Sequence, residues 1–471
     1  MRHCSRNPQN IKMKKILHFN ILIASLFIIS LNQMNAQIIK ESSSVKKEFT
    51  SLEDALEISN SVYRLNLSNQ DISFFPDSIW TKFKNLEYLS LRNDHLKEIP
   101  SGIGNLKNLK VLDLSGNNFT VLPQSFSGLE NLYEIYLNDE KEMDVNQSLS
   151  AIKDLPNLRI LHLENDNLQS IPSSLLNLNR LEALYLDSNP FTTLSDGNWA
   201  KLDKLEYLSL KNDHLKEIPS EIGSLKNLKV LDLSGNDFRV LPQSFSGLDN
   251  LYEIYLNDEK EMDVNQSLSA IKDLPNLRIL HLENDNLQSI PNSLLNLNRL
   301  EALYLDSNPF TTLSDGNWAK LDKLEYLSLK NDHLKEIPSE IGSLKNLKVL
   351  DLSGNDFTVL PQSFSGLDNL YEIYLNDEKE MDVNQSLNII KGLPNLKVLH
   401  LENDNLNSIP QNLLNISQLE ALYLNKNSFN RVPTELNQLI NLNLIDLHDN
   451  KFKLSKKDLQ IRDSFKVKIR I

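Results

Sequence analysis

From residue 62 onward the leucines fall into one recurring pattern. A typical unit has apolar residues at Leu109, Leu112, Leu114, Phe119 and Leu122, with Asn117 among them and Pro123 closing the set. In Leu112-Asp113-Leu114 the leucines are two residues apart, so on an extended chain both point to one face while Asp113 points to the other. The pattern predicts a short strand with a buried leucine side. The asparagine suits a tight bend, because its amide both donates to and accepts from main-chain groups. After the proline the chain has about ten residues in which to return, enough for a 3-10 turn or a short helix.

About 17 such units begin between Val62 and Leu442, at spacings of 23, 24 or 26 residues. With the continuation Ile99, Pro100, Ile103 and Leu106, the spacing resembles the 23-residue class of leucine-rich repeats. The resemblance spans residues 62–454. It implies an α/β leucine-rich-repeat solenoid, with a curved parallel sheet on a concave face and short 3-10 or helical returns on a convex face. It also implies protein–protein interaction. The physics agrees, since one unit cannot bury its leucines alone and neighbours must stack into a continuous core.

A longer period runs through the repeats. Leu86, Leu205 and Leu324 stand 119 residues apart, so five units form a module that occurs almost three times. Residues 86–204 and 205–323 differ at seven positions; the third copy diverges after about Leu387. Within a module the bend residue changes, through Asp94, Asn117, Glu140, Asp166 and Asn189. An ionised carboxylate cannot donate as asparagine does, so a continuous asparagine ladder is expected to break at these bends.

The ends need covers. Ser51-Leu52-Glu53-Asp54 reads as a capping box opening an amphipathic cap over 50–59, with Leu52, Ala55 and Leu56 on one face. The last segment, Phe465 to Ile471, alternates apolar and basic residues like a guarded edge strand within a C-terminal cap, 455–471. Residues 37–61 hold a loose polar stretch to residue 49 and then the cap.

Residues 1–36 read differently. Lys14 and Lys15 precede an apolar run from Ile16 to Leu31, short for a bilayer span and suited to a signal peptide cut after Ala36. Residues 1–12 read as an upstream extension, with Met13 the expected start. Cys4, the one cysteine, lies in this stretch, so residues 37–471 have no disulfide or thiolate chemistry. All five basic residues before position 37 face no acid there, which leaves residues 37–471 with 44 basic against 63 acidic side chains, a balance of −19. Such a body repels nucleic acid and anionic lipid, and it carries no second run of membrane length.

The outward residue between the two inward leucines lines the centre of the expected concave face. Across a module it reads serine, aspartate, tyrosine, histidine, tyrosine. The candidate ligand contacts are Tyr136, His162 and Tyr185, then Tyr255, His281 and Tyr304, then Tyr374, His400 and Tyr423. Tyrosine joins apolar area to a hydroxyl, a combination enriched at binding hot spots. Glu134, Glu164 and Asp187 flank the first row, which favours a basic or neutral partner.

Other residues read as structural. One histidine per module on the outward row is too few for a metal site of three or four ligands. His95, His214 and His333 fall at bends and read as solvated. The acidic stretch Asn138 to Asn146 lacks the ligand order of a calcium loop and reads as a solvated loop leading into a helix. Trp80, Trp199 and Trp318 fall on return segments and read as core. No nucleophile–base set, phosphate loop or metalloprotease motif is present, so neither enzyme nor cofactor is expected. The reading is an exported, noncatalytic binding protein for a protein or glycopeptide ligand, with an intracellular signalling scaffold as the alternative.

Overall fold

The computed structural model describes residues 47–72, 74–191, 194, 197–310, 313, 316–452 and 467–471. The expected signal peptide lies outside the described residues, as do residues 37–46 and most of the expected C-terminal cap. The chain forms two compact units, Met1–Ile254 and Tyr255–Ile471.

Both units are built the same way. In the first, three-residue strands such as Tyr88–Ser90, Val111–Asp113, Glu134–Tyr136, Ile160–His162, Ala183–Tyr185 and Tyr207–Ser209 pair in parallel. Register is fixed by the middle residue, with Leu89, Leu112, Ile135, Leu161, Leu184 and Leu208 lying side by side. In the second unit Leu280, Leu303, Leu327, Leu350, Ile373, Leu399 and Leu422 continue the same way. All these residues are wholly buried. At about 1.5–3 kcal/mol per fully buried large aliphatic side chain, this ladder is the main favourable term in the fold.

The returns follow the prolines. Pro123 precedes a 3-10 turn, Gln124–Gly128, that buries Phe126; Pro242 and Pro361 repeat it. Where the Ile-Pro step is absent, the acidic stretch leads into the α-helix Val145–Ile152, whose N-cap Asp144 accepts a hydrogen bond from the Gln147 N–H at 2.9 Å. Trp80, Trp199 and Trp318 are fully buried on return segments, as the sequence implies. Ser51 caps the helix Leu52–Glu57, accepting from the Asp54 N–H. At the other end strand Lys468–Arg470 pairs in parallel with Leu444–Asp446, and Arg470 reaches Asp446 at 3.3 Å.

The bends correct one expectation. At the acidic positions the accepting half of the ladder runs on, while the second carboxylate oxygen makes none of the bonds that the asparagine amide donates. Asn117 Oδ1 accepts from the backbone N–H of Asp94 and of Leu96, while its amide donates to the carbonyls of Leu91 and Leu114. The Asn117 N–H in turn donates to Glu140 Oε1. Glu140 N–H donates to Asp166, Asp166 N–H to Asn189, and Asn189 N–H to Asp213. One carboxylate oxygen accepts as well as an amide oxygen does, so the accepting half of the ladder is kept. The residue before each ladder position takes a positive φ: Asn93, Gly116, Asp139, Asn165 and Ser188. At Gly116 a Cβ would fall 2.0 Å from Asn93 Oδ1, so any other residue there would have to push that amide aside.

Candidate functional site

The outward row assembles as the sequence places it, with a closer geometry than exposed side chains would have. Tyr136 and His162 stack with ring centroids 4.0 Å apart and planes 10° from parallel; His162 and Tyr185 follow at 4.4 Å and 8°. The second copy repeats this, with Tyr255–His281 at 3.9 Å and His281–Tyr304 at 4.4 Å. The third does the same, with Tyr374–His400 at 3.9 Å and His400–Tyr423 at 4.3 Å. Parallel strands stand about 4.8 Å apart, so identical outward positions on neighbouring strands bring planar rings to stacking distance without further adjustment.

Each histidine is the closed middle layer of its stack. His162, His281 and His400 are 8%, 5% and 7% exposed, whereas the tyrosines are half-buried. His162 lies between two carboxylates, with Nε2 3.1 Å from Glu134 Oε1 and Nδ1 3.3 Å from Glu164 Oε1. His400 lies likewise between Glu372 at 2.9 Å and Glu402 at 3.1 Å. Burial opposes charge on these imidazoles, but the hydrogen bonds and charges of the two glutamates outweigh it, and both groups are raised above the ordinary histidine value. The Tyr136 hydroxyl donates to the same Glu134 oxygen at 2.7 Å. Its own ionisation is pushed up by burial and by the Glu134 charge.

Beside the stack lies an apolar floor. Ile160 and Ala183, the other outward positions of their strands, are closed off by Tyr133, Tyr185 and Tyr207. Tyr207 extends the ring row, 4.7 Å from Tyr185 and tilted by 34°; Tyr326 does the same beside Tyr304 at 4.8 Å. The sequence reading missed these tyrosines. Tyr207 stands two residues before Ser209, so the period-2 rule that selects one outward row would have selected this one also.

Asp187 and Asp306 close the patch, half-buried and pushed up to about 6, chiefly by burial. The third copy departs here. Asn425 stands in place of the aspartate, and Leu444 pairs with Ala421 where Tyr326 pairs with Ala302.

The remaining candidates fall where the sequence puts them. His214 and His333 are about three-quarters exposed at their bends and near Asp237 and Asp356. Among the described residues no group of three or more histidine, cysteine, aspartate or glutamate side chains is placed to hold a metal ion, and no helix is long and apolar enough to cross a membrane. Two small clefts lie elsewhere, one lined by Ile152, Leu155, Leu158 and Leu181 and its equivalent by Ile271, Leu274, Leu277 and Leu300. Each has room for little more than a water molecule, far less than a small-molecule site needs.

Residues 77–155, 195–266 and 315–385 match the model of the leucine-rich repeat region family, and 156–215 and 275–334 match the leucine rich repeat family. The chain belongs to the leucine-rich-repeat proteins. Its structure is similar to that of a leucine-rich-repeat protein of Leptospira interrogans, with a TM-score of 0.53, 26% identity, and coverage of 91% of this chain and 100% of that one. An internalin of Listeria monocytogenes is similar at a TM-score of 0.46 and 23% identity, over 73% of this chain and 88% of that one. No curated protein matches the chain.

Proposed function

We propose that this is an exported, noncatalytic binding protein that engages a protein or glycopeptide ligand through the aromatic rows of its sheet face, with adhesion as one use of such binding. The observation that carries the reading is the Tyr136–His162–Tyr185 stack, recurring at residues 255–304 and 374–423. Half-buried tyrosines on an apolar floor offer contact area at little entropic cost, since their rotamers are already held by neighbours. Family membership supports protein binding, and the basic, apolar start of the chain supports export. The excess of carboxylates supports a basic or neutral partner, with association weakening as salt rises.

The test is affinity capture from extracellular material, with the wild-type chain beside a variant carrying Ala at Tyr136, Tyr185, Tyr255, Tyr304, Tyr374 and Tyr423. A ligand held by wild type and lost by a variant of unchanged circular dichroism is the expected result. Equal capture by both would place the contact elsewhere. A second variant, Lys345→Ala with Lys348→Ala, should capture as wild type does.

A further inference from the structure

A module follows two different neighbours by the same bonds. The modules begin at Leu86, Leu205 and Leu324, and the units before them begin at Val62, Leu181 and Leu300. The first of these units reads Arg64-Leu65-Asn66 where the others read Ala183-Leu184-Tyr185 and Ala302-Leu303-Tyr304. Yet Leu65 pairs with Leu89 as Leu184 does with Leu208 and Leu303 with Leu327. The N–H groups of Leu67, Leu186 and Leu305 donate to the carbonyls of Ser90, Ser209 and Ser328 at 2.9–3.0 Å. In the bends, the N–H groups of Gln70, Asn189 and Asn308 donate to Asp94, Asp213 and Asp332 at 2.7–2.8 Å. On the outward side the first serine of each module is bonded to the unit before it: Ser90 to Ser68 at 2.7 Å, Ser209 to Asp187 and Ser328 to Asp306. The seven positions at which residues 86–204 and 205–323 differ all lie outside the strands. Each stack is also closed within its module, since Glu134, Tyr136, Glu164 and Tyr185, which surround His162, all fall inside residues 86–204.

We propose that the five-repeat module, and not the single repeat, is the unit by which this chain can be lengthened or shortened, each module carrying one complete tyrosine–histidine–tyrosine contact patch. The contact role of the stacks rests on the sheet-face reading above; the exchange of modules does not. In a stacked-repeat protein, stability is a sum of unit terms and nearest-neighbour interface terms. A chain whose every interface already occurs in wild type therefore keeps them all. Removing residues 205–323 sets Lys204 before Leu324, a junction that matches both Lys204–Leu205 and Lys323–Leu324. Removing four repeats, residues 205–299, keeps the leucine spacing but changes the neighbours. Tyr304 then takes the place of Ser209, so Asp187 loses its hydroxyl donor. Asp306 takes the place of Lys211, which sets two carboxylates side by side on adjacent strands.

The test compares the two deletions, each made in the full chain, by circular dichroism and urea unfolding. The chain lacking residues 205–323 should unfold cooperatively, with a midpoint within about 0.3 M urea of wild type. The chain lacking residues 205–299 should unfold at lower urea, although it is the longer of the two. After the module deletion, nitrogen-15 NMR of the imidazole rings should show His162 and His400 titrating as in wild type, because Glu134, Glu164, Glu372 and Glu402 stay with them. Equal midpoints for the two deletions would make the single repeat the unit and overturn the proposal. So would a module deletion that unfolds without cooperativity, or one in which either histidine shifts. No ligand enters the measurement, so its failure falls on the module alone, whereas equal capture by the six-tyrosine variant falls on the sheet-face reading.

Discussion

The backbone N–H of Asn117 donates to Glu140 Oε1 at 2.5 Å, deep in the bend of the repeat. The other carboxylate oxygen, Oε2, is buried without a hydrogen-bond partner. The same holds for the second oxygens of Asp166, Asp213, Asp285 and Asp404. In the asparagine units the corresponding atom is the amide nitrogen, which donates to two carbonyls. A carboxyl group can fill that role only by keeping its proton and donating it. Burial, the largest influence, pushes Glu140, Asp166, Asp213 and Asp285 up to about 8. Asp332 and Asp404 are pushed up to about 9. Burial therefore favours the protonated acid at these positions, the one form that can donate as asparagine does.

A direction of pH dependence follows. In the unfolded chain these carboxyls ionise near pH 4, whereas in the fold they hold their protons to about 8 or 9. Between those values the unfolded state binds fewer protons than the folded one, so stability falls as pH rises. Their contribution is complete below about pH 4 and is lost as pH passes through the folded values. Urea midpoints should decrease steadily from pH 5 to pH 9. A midpoint that rises over that range would show the bend carboxylates ionised in the fold.

The same argument fixes the effect of an amide. Asp166→Asn supplies a permanent donor where Oδ2 now has none, and should stabilise the protein by about 1–3 kcal/mol at pH 8, the size of an unsatisfied buried polar group. At pH 4 the change should be small, because the acid already carries its proton. Urea melts at both pH values check this; an equal gain at both would mean a packing effect.

The strands, returns, buried tryptophans and helix after the acidic stretch were all legible in the chain, because each rests on local periodicity or a nearby cap. Leu112 and Leu114 need only the period-2 rule, and the helix at Val145 needs only Asp144 before it. The outward row was legible for the same reason, as Tyr136, His162 and Tyr185 show. What the sequence hid depends on neighbours 23 to 28 residues away. That Glu134 serves both its strand-mate Tyr136 and the next strand's His162 requires the register. The raised affinity of the bend acids for a proton requires knowing that Asp166 is 3% exposed and that its second oxygen has no hydrogen-bond partner.

The inward and outward assignments predict unequal costs on one strand. Leu233 is wholly buried, and Leu233→Ala should cost about 2–5 kcal/mol through lost burial and a residual cavity. Asp232 points outward and accepts a hydrogen bond from the Ser234 N–H at 2.9 Å, so Asp232→Ala should cost about 1 kcal/mol. Similar losses in urea melts would mean that the faces are misassigned.

Export predicts a processed N-terminus. N-terminal sequencing of the protein recovered from outside the cytoplasm should begin at or near Gln37, following the apolar run and Ala36. A soluble cytoplasmic product retaining Ile16 to Leu31 would remove the export proposal and favour the intracellular scaffold.

The histidine stacks give the last prediction, and it separates charge from packing. With burial opposing and Glu134 and Glu164 favouring the imidazolium, His162 should titrate above the ordinary histidine value, and His400 with it. Nitrogen-15 NMR of the imidazole rings reads this directly, with His214 as an exposed comparison. A histidine held in its charged form stabilises the fold fully below its unfolded value, and that stabilisation is lost as pH rises through the folded one. Glu134→Gln keeps the shape of the side chain but removes one charge and changes the acceptor on Nε2. His162 should then titrate lower than in wild type, while His400, held by Glu372 and Glu402, should not move. The stacking of Tyr136 and Tyr185 would survive the change, since it rests on strand spacing. If both histidines titrate at the ordinary value in wild type, the glutamates are not charge partners and the stacks are held by packing alone.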